Sequence, residues 1–238
     1  MTLPKIELPK FTTTLPSTGA QVEYWPMTIA QEKLLLLAKE GDGENDILQA
    51  IVDVVAKCTS DKIRPVNLPM CDINWLFLQI RKVSVSNIAE LSYMEPIEDG
   101  DDKQHDFKVD LNQVIIDKSK LKDRTIKVND EITITMCYTP VRVYLSKEYV
   151  DASASERFDL ILRNSIDLIS TSDNVNQAQN VPPEELQEWL GNLPTQTYTD
   201  IEVFLTGMPS LFYEVKYTDV KGEEQKIVLS ELTDFFTF

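Results

Sequence analysis

Catalysis by an activated nucleophile would depend on a single imidazole in this chain of 238 residues. His105 is the only histidine, and it lies next to Asp106 in a hydrophilic stretch. A Ser-His-Asp or Cys-His centre would have to use it, and the sequence contains no G-x-S-x-G motif. We therefore expect His105 to be a solvated loop residue, and we predict no catalytic residue.

The residue types that bind metals or phosphates are also sparse. A zinc site normally takes three or four Cys or His ligands, whereas Cys58, Cys71 and Cys137 are widely spaced and form no C-x-x-C. The acidic run at residues 98–102 lacks the spaced carboxylates and the closing Glu of a calcium loop. None of the seven glycines is arranged as a phosphate loop. We predict no metal and no cofactor, and we expect the cysteines to be reduced and buried.

Acidic residues dominate the charge of the chain. Asp and Glu number 39 against 23 Lys and Arg, which gives a formal net charge of −16. Because so many carboxylates form chance pairs, a hydrolase that uses two of them stays open as an alternative. The charge opposes binding to nucleic acid and to anionic membranes, and it matches a protein partner with basic patches. The other interpretation is that the charge only maintains solubility.

Apolar side chains at the surface are the remaining means of binding a partner. Residues 34–37 are four successive leucines, which cannot all face one side of a helix. Some of them must therefore meet a second surface, in this chain or in another. The aromatic residues near the end of the sequence either fold back onto the core or contact a partner. The candidate partner-binding residues are Trp25, Leu35, Leu36, Trp75, Phe235, Phe236 and Phe238.

The first region, residues 1–86, is predicted to form a hairpin followed by helices. Two short β-rich runs flank a turn that contains Gly19. Thr28 and Gln31 have the spacing of a capping box, which predicts the start of the first helix. Apolar residues at helical spacing predict a second helix. Asp72 is expected to cap a third helix, which is apolar around much of its circumference and is therefore predicted to be buried.

The second region, residues 87–150, is predicted to form a central antiparallel sheet. Apolar and polar residues alternate along four or five short segments, the last of them at residues 141–145. The acidic segment at residues 95–106 is expected to be a loop between two of these strands.

The third region, residues 151–238, is predicted to be helical and to end in a hairpin. Ser153 and Glu156 form a second capping box, and Pro183 is suited to the first turn of a further helix. A polar turn at residues 219–222 separates two apolar runs of strand type. The three regions together predict an α+β fold.

Neither a membrane span nor a secretion signal is evident. No apolar run approaches the roughly 18 to 20 residues that are needed to cross a bilayer. The first residues lack the apolar core of a signal peptide. We therefore expect a soluble protein that is not exported.

Several segments match, in order, the pattern of a known family. They read Leu-Pro-Ser-Thr-Gly at 15–19, Val-Glu-Tyr-Trp-Pro at 22–26, Glu-Lys-Leu-Leu-Leu-Leu-Ala at 32–38, and Leu-Pro-Met-Cys-Asp-Ile-Asn-Trp-Leu-Phe-Leu-Gln-Ile-Arg at 68–81. Looser agreement follows at 126–138 and at 208–209. The set resembles the T4-type bacteriophage baseplate protein family, which includes baseplate hub subunits and hub assembly factors.

This resemblance implies a non-enzymatic protein of the contractile-tail baseplate hub. The chain would act by protein–protein binding, either as an assembly chaperone or as a structural hub subunit. Its partners would be other hub or tail proteins, in a homo- or hetero-oligomer. Its location would be the host cytoplasm during phage assembly, or the virion tail baseplate. The alternatives are a tail-associated hydrolase with a carboxylate pair and a general tail-assembly adaptor.

Overall fold

The computed structural model of the chain describes residues 4, 6–41, 43–97 and 102–235. Within them, helices are mixed with small antiparallel sheets, which confirms the predicted α+β class. The elements in chain order are β1 (Phe11–Thr14), β2 (Gln21–Tyr24), α1 (Ile29–Glu40), α2 (Glu44–Lys57), α3 (Met70–Ser84), β3 (Ile88–Glu95), β4 (Lys103–Asp110), β5 (Ile115–Asp117), β6 (Thr125–Lys127), β7 (Thr133–Met136), α4 (Val141–Tyr144), α5 (Lys147–Asp151), α6 (Ala154–Asn164), β8 (Ile166–Ser170), β9 (Val175–Gln177), α7 (Pro183–Gly191), α8 (Thr195–Thr206), β10 (Ser210–Thr218), β11 (Glu224–Leu229) and α9 (Leu232–Phe235).

The chain divides into two compact units. Unit 1 comprises residues 1–63, 71–117 and 210–238, and unit 2 comprises residues 64–70 and 118–209. Each unit is therefore discontinuous in sequence, and unit 1 draws on all three of the regions that the sequence predicts. The division of the sequence into those three regions stays a prediction.

Helix α3 supplies much of the core of unit 1. Its apolar side chains surround most of its circumference, so they must be covered on every side. Eight of its fifteen residues are buried, as predicted, and Ile73, Leu76 and Leu78 are completely buried. Helix α2 adds an apolar stripe in which Val54 and Val55 are also inaccessible.

Polar contacts tie the β1–β2 hairpin to α3. Gly19 turns the chain with a φ of +75°, a conformation that favours glycine. Ser17 donates its backbone N–H to Asp72 Oδ1 at 2.9 Å and its hydroxyl to Oδ2 at 2.5 Å. Helix α3 begins at Met70, so the prediction that Asp72 caps it from outside is wrong. The buried carboxylate lies within the first turn and binds the hairpin instead.

Two further hairpins complete unit 1. Strands β3 and β4 pair from Ile88 with Asp110 to Glu95 with Lys103. Strands β10 and β11 form the terminal hairpin that the sequence predicts, and β5 adds a third strand along β10. The alternating segments therefore pair antiparallel as expected, but they are distributed over several small sheets.

Unit 2 is built on a four-stranded antiparallel sheet in the order β6-β7-β8-β9. Its hydrophobic core combines Ile134 of β7 with Ile201 and Phe204 of α8. The predicted capping box at the start of α6 is present, with the Ser153 backbone N–H donating to Glu156 Oε2 at 2.8 Å. The core is therefore assembled from strands and helices that are distant in sequence.

One predicted strand of unit 2 is a helix. Residues 141–145 alternate in polarity, but Pro140 precedes the single helical turn of α4, in which Val141 and Val143 are both buried. The predicted strand is therefore wrong. Over so few residues, a period of two cannot be separated from one turn of a helix.

Candidate binding surface

Unit 1 contains an open groove of about 580 Å³ that is lined by α1, the end of α3 and the beginning of β3. Most of its lining is apolar, and charged side chains are interspersed. The apolar lining residues are Met27, Leu35, Leu36, Phe77, Val85, Ile88, Ala89 and Phe235, and the polar ones are Glu32, Lys39, Arg81, Ser86 and Glu90. This combination suits an amphipathic segment of a protein.

Helix α1 forms one wall of the groove and has no buried residue. Its predicted capping box is present, with the Thr28 N–H donating to Gln31 Oε1 at 2.9 Å. Leu36 and Leu37 are 57% and 66% exposed. Leu36 lines the groove and Leu37 does not. The described residues of the chain therefore leave a large part of the apolar surface of α1 uncovered.

Another part of the lining comes from the last turn of α3 and the segment after it. Ser84 Oγ donates to the Ile80 carbonyl at 2.5 Å and accepts the Met27 N–H at 2.8 Å. These two bonds hold the chain that enters α1 against the end of α3. Val85 follows directly and is 57% exposed in the groove.

Arg81 places a positive charge beside the apolar lining. Burial lowers the pKa of its guanidinium, and the nearby Glu32 acts in the opposite direction. An arginine remains protonated under these conditions. The groove therefore combines a fixed cation with exposed apolar side chains, and a bound segment can be oriented by both.

Three of the seven predicted partner-binding residues meet at this groove. Leu35 and Leu36 line it from α1, and Phe235 lines it from α9 while being only 1% exposed. Phe236 and Phe238 lie outside the described residues. The prediction that these side chains bind a partner remains a prediction.

The two predicted tryptophans do not lie at the groove, and they bond within unit 1. The Trp25 indole N–H donates to the Lys57 carbonyl at 3.0 Å. The Trp75 indole N–H donates to Thr13 Oγ1 at 2.9 Å. Both side chains are half-buried, and their bonds fasten the β1–β2 hairpin and its continuation to the helices.

Sequence reasoning missed the groove residues that lie between elements. Met27 precedes α1, whereas Val85 and Ile88 flank the short connection from α3 to β3. The available signal was the pair of branched apolar residues Val85 and Ile88 in the short segment 85–90, directly after an apolar helix. Such isolated residues are common at protein surfaces, so that signal alone does not identify a groove.

A family model described as T4 bacteriophage base plate protein matches residues 8–237, which is nearly the whole chain. The chain belongs to this family. The resemblance carried by the N-terminal segments is thereby confirmed. No curated protein and no solved structure matches the chain significantly.

The only histidine of this baseplate protein is part of a strand. His105 belongs to β4, and its Nε2 lies 2.8 Å from Glu95 Oε2, with both side chains only 11% exposed. Glu95 Oε1 also accepts the Val220 N–H at 3.1 Å, so the pair joins the β3–β4 hairpin to the β10–β11 turn. The Tyr217 ring packs 4.8 Å from the imidazole. The prediction of a solvated loop residue is wrong, because the alternating pattern of β4 extends through position 105.

The thiols of the baseplate protein lie in protected surroundings. Cys58 and Cys71 are buried as predicted, whereas Cys137 is only half-buried. Burial raises the pKa of Cys58 and of Cys137 to about 11, and it raises the pKa of Cys71 further, with Asp72 adding to the effect. A thiol is unreactive as a nucleophile in such surroundings, which fits a structural role for all three cysteines.

Four of the described carboxyl groups have a pKa below the usual value. Hydrogen-bond donors stabilise the ionised form and lower the pKa of Asp106, Asp110, Glu156 and Asp219. A general acid in glycoside hydrolysis needs the opposite shift. Among the described residues, no group of three or more His, Cys, Asp or Glu side chains could hold a metal ion. The described helices include none that is long and apolar enough to cross a membrane.

Proposed function

We propose that this protein acts in the assembly of the phage baseplate hub by holding an amphipathic segment of another hub or tail protein in the groove of unit 1, without catalysing a reaction. Membership of the baseplate family supports a structural role in the baseplate. The observation that carries the proposal is the uncovered apolar wall of α1, in a groove that exposed Val85 also lines.

The physical driving force is the removal of half-exposed apolar side chains from water. Covering the exposed part of Leu36 or Val85 contributes on the order of 1 kcal/mol per side chain. Charges of both signs in the groove, among them Glu32 and Arg81, add orientation and specificity rather than much affinity. The occupant is therefore a segment with apolar residues on one face and charged residues at its edges.

An uncovered apolar groove also suggests when the protein acts. Exposed apolar surface of this kind favours association with whatever apolar segment is available. In the host cytoplasm, the groove holds a partner until the hub closes around it. In the virion tail baseplate, the same contact persists if the chain remains as a subunit.

Charge placed on α1 tests the groove. We expect Leu36→Glu to weaken hub-complex formation by roughly 100-fold, because a carboxylate would be desolvated against an apolar segment. The matched control is Leu37→Glu, which puts the same charge on the next residue of the same helix, outside the groove. Hub complexes are isolated from cells infected with phage that carry each variant, and circular dichroism checks that both proteins fold. Equal assembly by the two variants would contradict the proposed surface.

Quantification by mass spectrometry separates the two forms of the proposal. A fixed ratio to other hub proteins, in purified virions as well as in assembly intermediates, identifies a structural subunit. Presence in the intermediates alone identifies an assembly chaperone. Recovery with tail proteins other than those of the hub would favour a general tail-assembly adaptor.

The non-enzymatic part of the proposal has a direct test. We expect no turnover when the purified protein is incubated with peptidoglycan. Robust turnover that is abolished by a single Asp or Glu substitution would overturn this part in favour of a hydrolase.

A further inference from the structure

One segment of unit 2 is positively charged, whereas the chain as a whole is strongly negative. Residues 118–124 read Lys-Ser-Lys-Leu-Lys-Asp-Arg, with four cations against a single acid, in a chain whose net charge is −16. All seven residues are exposed. We refer to residues 118–124 as the basic loop.

The basic loop has a defined conformation, because its backbone is fixed at two places. The Lys120 carbonyl packs against Gly207 at the end of α8, where an added Cβ would lie only 2.4 Å from the carbonyl oxygen. At the other end, the Arg124 carbonyl accepts the Met136 N–H at 2.6 Å, and Arg124 Nε donates to the Met136 carbonyl at 2.7 Å. Lys120 itself lies in a turn in which the Leu121 N–H donates to the Lys118 carbonyl at 3.1 Å.

The cations of the basic loop are available to a partner. Within the described part of the chain, Lys118, Lys120 and Lys122 form no ion pair. Arg124 lies 3.8 Å from Asp167, and both side chains are more than half exposed. An exposed pair at that distance is weak and readily exchanged.

We propose that the basic loop binds a short acidic segment of a protein partner, independently of the groove in unit 1. Electrostatic fields at physiological ionic strength are screened beyond about 8 Å. A ligand no longer than the basic loop therefore interacts mainly with the positive charges of the loop and only weakly with the negative charge of the rest of the chain. Three unpaired ammonium groups beside one guanidinium match a run of carboxylates.

The surroundings of the basic loop favour an acidic peptide over a nucleic acid. The rest of unit 2 carries six Lys and Arg against 13 Asp and Glu. A phosphate polymer longer than the loop would run over this acidic surface, whereas a short acidic segment meets only the cations. Exposed Leu121 within the loop offers one apolar contact that a peptide can use.

The test uses the full chain and a fluorescent peptide of alternating Glu and Ser. We expect the peptide to bind with an affinity that falls as salt rises, and the triple variant K118E/K120E/K122E to bind at least about tenfold more weakly. The matched control is K62E/K147E/K221E, which changes the net charge equally at exposed lysines elsewhere and is expected to keep the wild-type affinity. Fluorescence anisotropy measures each dissociation constant.

Three results would overturn the proposal. Absence of peptide binding to the wild-type chain is one, and equal weakening by both triple variants is another. The third is tighter binding of a single-stranded oligonucleotide of the same charge, which would assign the loop to nucleic acid. The variant Gly207→Ala gives an independent check, because it displaces the Lys120 backbone without changing any charge. We expect it to weaken peptide binding while α8 and the sheet of unit 2 stay folded by circular dichroism.

Discussion

Helices α1 and α3 of unit 1 are both rich in apolar residues, but they differ in how far those residues are buried. Each contains a block of consecutive apolar side chains, residues 34–38 in α1 and residues 75–78 in α3. Eight of the fifteen residues of α3 are buried, whereas none of the twelve residues of α1 is. The apolar surface of α3 forms the core, and that of α1 forms one wall of the groove.

The difference lies in what covers each helix. The β1–β2 hairpin fastens onto α3 through Ser17 with Asp72 and through Thr13 with Trp75. Helix α1 packs beside α2, and its other apolar face borders the open groove. A run of apolar residues therefore predicts that a helix packs against another surface, but it does not predict whether that surface belongs to the same chain or to a partner.

The largest expected effect comes from removing core volume in α3. We expect Leu78→Ala to lower the free energy of unfolding by about 3 kcal/mol, because a fully buried leucine leaves a cavity. Urea denaturation followed by circular dichroism measures the change. A loss below about 1 kcal/mol would show that α3 is not the core helix of unit 1.

A smaller effect is expected from the contact that covers the start of α3. Asp72→Ala removes the acceptor of two hydrogen bonds from Ser17, and we expect it to cost about 2 kcal/mol of unfolding free energy. Ser17→Ala removes only the hydroxyl bond and is expected to cost about half as much. The double variant measures the coupling by denaturation. Strictly additive costs would mean that the two residues do not stabilise unit 1 through each other.

The sequence predicts well wherever local chemistry decides the structure. The capping boxes at Thr28 and Ser153 both form, because each needs only residues three apart in the chain. The burial of α3 also follows from its composition alone. In these cases the information lies within a single element.

The wrong predictions concern residues whose conformation or contacts depend on residues distant in sequence. His105 is held by Glu95 across a strand pair, and Glu95 also accepts the N–H of Val220, which lies more than a hundred residues later in the chain. From the sequence, Asp72 could cap α3 or bind elsewhere. In the structure it accepts a hydrogen bond from Ser17 of the β1–β2 hairpin, which is 55 residues away in sequence. The strand pattern at residues 141–145 was too short to exclude a helical turn. Propensity does not encode such long-range contacts.

The candidate surface was only half predictable for the same reason. Leu35 and Leu36 stand out as part of an apolar run in a charged helix, so the wall they form could be inferred. The other wall depends on the position at which α3 ends beside the connection to β3, which brings Val85 into the groove. That position follows from packing and not from a local pattern.

The smallest expected effect gives the sharpest test of the comparison. We expect Leu37→Ala to change the free energy of unfolding by less than about 0.5 kcal/mol, because the side chain is 66% exposed and alanine favours a helix at least as well. The same truncation in α3 is expected to cost several times more, so the pair of variants contrasts one residue type in two helices. If Leu37→Ala destabilises the isolated protein as much as Leu78→Ala does, then α1 is covered within its own chain. In that case the exposed side of α1 at Leu37 is core, and the contrast between the two helices does not hold.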